Sequence, residues 1–127
     1  MRWSDAYGIE TKFCEPYGTR RPSGLMPVYL RERALWRDWP NLLSFARKIS
    51  PNDSLHSHLH AAQLIKHLLG LRNQHGQNFV LVYLWLDVPG ETDALCHRQE
   101  IEQFSGLLKS DGIPFLSATY QEPLTRR

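Results

Sequence analysis

A chain of 127 residues, 42% apolar and 22% charged with a net charge of +2, has the composition of one ordinary globular domain, large enough to bury a core without staples. So small a charge neither demands nor rules out nucleic acid; a DNA-binding surface would have to come from local clustering, as around Arg20, Arg21, Arg31, Arg33 and Arg37. Cys14 and Cys96 are too few and too far apart for a disulfide framework or a cysteine zinc site, no apolar run reaches transmembrane length, and no signal-peptide pattern opens the chain, which reads as cytoplasmic.

Tyr7–Cys14 is the first predicted strand. Within it Glu10 and Lys12 are two residues apart and project from one face, while Ile9, Thr11 and Phe13 point to the other. A carboxylate beside an ammonium can hold a divalent cation and steady a hydroxide or a phosphate oxygen. It can equally be a surface ion pair on an edge strand.

Glu15–Pro27, rich in Pro, Gly and Arg, reads as a loop. Val28 to about Ile49 is helical in pattern, with Leu30, Ala34, Leu35, Leu42, Phe45, Ala46 and Ile49 as core candidates, and Pro40 should kink or split it near Trp39. Trp36, Trp39 and Trp85 read as core or interface anchors. After a break at Ser50–Asp53, His56 to about Arg72 forms a second helix with Ala61, Leu64, Ile65, Leu68, Leu69 and Leu71 on one face. Gln63 and Lys66 lie at i, i+3 opposite the centre of that face, either reaching a site at the sheet edge or simply solvated.

Phe79–Leu86 is the clearest strand, and its near-continuous apolarity predicts burial on both faces. A third helix follows from Glu91 to about Lys109 with Leu95, Ile101, Phe104 and Leu108 inward, and Ile113–Thr119 is the last strand. The alternation predicts an α/β fold in a single domain over residues 1–127.

The order of E-x-K strand, helices, buried strand, helix and strand resembles the PD-(D/E)XK, or restriction-endonuclease-like, superfamily. The segments Gly8–Pro16, Leu35-Trp36, Leu59–Leu71, Phe79–Trp85 and Thr119–Glu122 resemble more closely a bacterial family classed there among the restriction endonucleases. The resemblance implies a restriction-endonuclease-like core, a mixed sheet with helices on both faces, and Mg²⁺- or Mn²⁺-dependent cleavage of DNA. It implies Glu10 as metal-binding carboxylate, Lys12 as the group orienting water and stabilising phosphate charge, a backbone carbonyl of Ile9 or Thr11 in the metal shell, and Gln63 and Lys66 on the scissile phosphate or water. The superfamily pattern places an acid on the strand before E-x-K; here Asp5 is the acid available, diagonal to Glu10 and roughly 7 Å or more away. The chain therefore reads as the C-terminal portion of the usual core, N-terminally truncated, with an unpaired sheet edge that favours a homodimer and with weak, salt-sensitive DNA binding.

Two other classes stay open. His56 and His60, with His58 and His67 nearby, could clamp zinc if that turn is helical. The chain could also be an inactive interaction domain that keeps the same fold.

Overall fold

Among the described residues the strand-forming segments pair as a parallel sheet of three strands in the order β1 (Ala6–Lys12), β2 (Phe79–Trp85), β3 (Phe115–Thr119). The computed structural model describes residues 6–12, 24–56, 58–85 and 92–119, and of residues 6, 10–12, 92 and 93 the backbone alone. Its helices are α1 (Pro27–Arg31), α2 (Pro40–Lys48), α3 (Ala61–His75) and α4 (Thr92–Ser110), with a 3-10 turn at Arg33–Trp36. This is an α/β arrangement, as the alternation of elements predicts.

Each parallel connection needs a crossover, and right-handed crossovers that step repeatedly in one direction put their helices on one side. The contacts follow that rule. Leu71 and His67 of α3 lie against Gly8, the register neighbour of Leu81. From α4, His97 meets Trp85 at 4.8 Å and Phe104 meets Phe115 at 5.7 Å between ring centroids. Phe79, Leu81, Tyr83 and Trp85 are accordingly buried, and the alternate residues Val80, Val82 and Leu84 only partly so. Tyr7, Ile9 and Leu116 on that second face are exposed.

The expected mixed sheet with helices on both faces is thus corrected. Among the described residues the sheet is purely parallel, and the helices that reach it cover one face. β2 is central, but its apolarity does not signal two helical layers.

Gly8 sets the depth of this layer. A Cβ there would stand 2.5 Å from Leu71 Cδ1 and 2.8 Å from His67 Nε2, so the missing side chain lets α3 settle onto β1.

The helical stretch from Val28 is split, as expected near Trp39, before Pro40, which opens α2, and Asp38 takes φ 67° there. Leu42, Ala46 and Ile49 are buried, and Leu30 and Phe45 pack partly buried against them. Ala34 and Leu35 instead face solvent: the 3-10 turn rotates Trp36 inward, where its Nε1–H donates to the Tyr29 carbonyl at 2.8 Å. The exposed N-terminus of α2 is capped from far along the chain. Asn41 and Leu42 donate backbone N–H bonds to the Asp111 carboxylate at 3.3 and 2.8 Å.

α3 begins at Ala61, not His56, because Asp53 captures the N–H groups of Leu55 and His56 in a turn that competes with helix. In α4 the inward row is Ala94, His97, Ile101, Phe104 and Leu108, which leaves Leu95 exposed.

One-sided layering has a direct consequence for stability. Leu81→Ala on the covered face should cost about 2–5 kcal/mol, while Ile9→Thr, at a residue 58% exposed, should stay within about 0.5 kcal/mol of wild type. Urea unfolding of the two variants reads the difference, and equal losses would contradict the layering.

Candidate active site at the carboxyl edge of the sheet

Open α/β sheets bind ligands outside the carboxyl ends of their strands. At that edge the register aligns Glu10 with Tyr83, and Lys12 with Trp85 and Thr119. Glu10 and Lys12 follow buried Gly8 at period two, so both positions belong to the helix-covered face, and Thr11 to the other. Asp5 lies outside the described residues.

α3 runs back against β1. Its C-terminal Gly76 lies near Phe79 at the start of β2, and Leu71 and His67 lie over Gly8. Gln63 is one further turn along the row Leu71, His67, Gln63, and so heads toward the Glu10–Lys12 end of the strand. Gln63 and Lys66 are both exposed, as their place off the leucine face requires. Lys66 sits one step round the helix from that row.

Behind these positions lies a buried polar group, of which the sequence motifs singled out His58 alone. The Tyr83 hydroxyl and His97 Nε2 are 2.9 Å apart, with Tyr83 4% and His97 0% exposed. His58 places its ring 6.2 Å from that of His97. The loop carrying His58 is fastened by Glu100, whose Oε1 accepts the backbone N–H groups of His58 and Leu59, each at 3.0 Å. A buried carboxylate that takes up two N–H groups settles its own desolvation and theirs together. A sequence signal did exist: His97 occupies the helical row of Ile101, Phe104 and Leu108, and Tyr83 the inward phase of β2.

The helical clamp His56–His60 is corrected by the same loop. The described residues from Ser50 to His60 are not helical, so the four-residue spacing does not set the two imidazoles on one helix face, and His56 Nδ1 is 2.7 Å from the buried Asp53 carboxylate. Among the described residues no group of three His, Cys, Asp or Glu side chains is arranged to hold a metal. For the expected magnesium, the Glu10 carboxylate and a β1 carbonyl such as that of Thr11 are hard oxygen donors of the right class. So few of them fit an ion that keeps most of its water.

A cavity of about 200 Å³ lies at the opposite, amino edge, between Trp39, Arg72, Phe79 and Asp111. Its cation is already engaged, with the Arg72 guanidinium 4.5 Å over the Trp39 ring and 3.5 Å from Asp38. It contains none of the E-x-K residues.

No described helix is long and apolar enough to cross a membrane. Compared with known proteins, the chain matches no family model, no curated protein and no solved structure.

The anchoring role of Glu100 is open to test. Glu100→Ala strands two buried N–H groups and should cost about 2–4 kcal/mol, whereas Glu100→Gln keeps an acceptor and should cost less than half of that. Chemical denaturation separates the two, and equal losses would show that the charge, not the acceptor, matters.

Proposed function

We propose that the chain is a metal-dependent endonuclease of the PD-(D/E)XK type, with a restriction-endonuclease-like core, that hydrolyses DNA phosphodiester bonds in the cytoplasm. The observation that supports this reading is the phase of β1. A decorative ion pair on an edge strand would turn its charges outward and its apolar residues inward. Here Tyr7 and Ile9 are exposed on the open face, and Glu10 and Lys12 occupy strand positions in phase with buried Gly8. Strand positions for an acid and a base on the Gly8 face, and not on the open one, suit a charged ligand at the sheet edge.

In this reading Glu10 and the Thr11 carbonyl hold magnesium or manganese, with Asp5 as the further acid. When bound, the ion supplies charge neutralisation and a more acidic water. Lys12 orients the attacking water in line with the leaving oxygen and donates to the phosphate as negative charge develops there. Gln63 contributes an amide to the water or the scissile phosphate, and Lys66 adds positive charge beside it. The net charge of +2 implies that few counterions are released on binding, so the DNA complex is weak and salt-sensitive.

A second reading, an inactive interaction domain of the same fold, draws on the exposed apolar residues Tyr7, Ile9 and Leu116 and on the edge position of β1. That edge is also where a homodimer would pair.

Plasmid nicking with Mg²⁺ or Mn²⁺ distinguishes the two. Wild type should nick slowly, Glu10→Ala should not nick, and Lys12→Ala should lose about 10²–10³-fold, the usual loss for one group aimed at developing charge. Nicking that survives Glu10→Ala would overturn the nuclease assignment. A wild type that never nicks, yet is a dimer by light scattering, would favour the second reading.

A further inference from the structure

Glu100 and Asp53 are buried polar residues whose task is plain, since each fastens a loop through backbone N–H groups. Tyr83 and His97 pose a different question. Their 2.9 Å bond joins β2 to α4, a junction that two apolar side chains make without desolvating a hydroxyl and an imidazole. The imidazole is fixed from two sides, by Trp85 at 4.8 Å and His58 at 6.2 Å between ring centroids. Register sets Tyr83 beside Glu10 on the same face.

We propose that Tyr83 is a positioning residue of the Glu10–Lys12 site and that His97 is the group that holds its hydroxyl in place. The inference rests on the metal-dependent reading of Glu10. A phenol both donates and accepts, so one hydroxyl can engage His97 and a further group at once. Withdrawn from bulk water and a ring's length above the sheet, the hydroxyl is suited to order the carboxylate and the water shell of an ion at Glu10. Such outer partners govern how firmly an ion and its ligands are oriented.

Terbium(III), a hard oxygen-seeking ion that luminesces through nearby aromatic rings, tests this on the full chain. Midpoints of the titration give affinity, and lifetimes in H₂O and D₂O count bound waters. Wild type should bind and Glu10→Ala should not. Tyr83→Phe, which removes one oxygen and keeps Trp85 as sensitiser, should weaken binding about tenfold and raise the water count while leaving the thermal midpoint nearly unchanged. Should Tyr83→Phe unfold, His97→Gln carries the same expectation. Wild-type affinity and water count in a folded Tyr83→Phe, or in His97→Gln if that variant is the one tested, with binding lost in Glu10→Ala, would overturn the positioning role and leave the metal reading standing. Terbium that binds Glu10→Ala as well as wild type, or fails to bind wild type, would overturn both.

Discussion

The stacking of α3 on β1 at Gly8 governs the rest of this structure. Because no side chain intervenes, Leu71 and His67 come down onto the strand, and the helix-covered side of β1 is fixed as the side of Gly8. Period two then carries Glu10 and Lys12 to the same side, beside Tyr83 and Trp85. A shift of one residue in this register would turn both charges to the open face and send Tyr7 and Ile9 under the helices. The functional reading therefore depends on a packing contact that lies one pleat away from the chemistry.

The two edges of the sheet are built differently. At the amino edge the polar groups close on one another: Arg72 is engaged by Asp38 and Trp39, and Asp111 caps α2. At the carboxyl edge Glu100 and Asp53 hold the loop before α3, and the Tyr83–His97 pair stands between that loop and β1. Buried networks of this kind impose one geometry when their members are satisfied and are costly otherwise. Such rigidity would suit the charged site proposed at that edge.

Much of the fold was legible where local pattern and burial agree. The alternation of elements, the break at Pro40, the leucine face of α3 and the identity of β2 as central strand all follow from periodicity and Pro or Gly punctuation. What periodicity could not carry was the side of the sheet. The apolar residues of β2 are consistent with two helical layers, and only the strand order, with its crossovers stepping one way, reduces them to one. The start of α3 was hidden because Asp53 diverts the backbone ahead of it, and the cap on α2 because Asp111 lies about seventy residues beyond the helix it serves. In the candidate site, the shared face of Glu10 and Lys12 could be read from spacing alone. Tyr83, His97 and Glu100 could not, since their partners are brought together only by tertiary contacts.

The central claim is that a divalent ion binds at the carboxyl edge, at Glu10, and not elsewhere on the molecule. Paramagnetic broadening by Mn²⁺ in amide spectra of the whole chain tests this directly. The account expects broadening strongest at Glu10–Lys12 and Tyr83–Trp85 and weakest around Gly76–Phe79 and Asp111–Ile113, with the pattern lost in Glu10→Ala. Broadening centred on the amino edge, or spread evenly over the surface carboxylates, would contradict it.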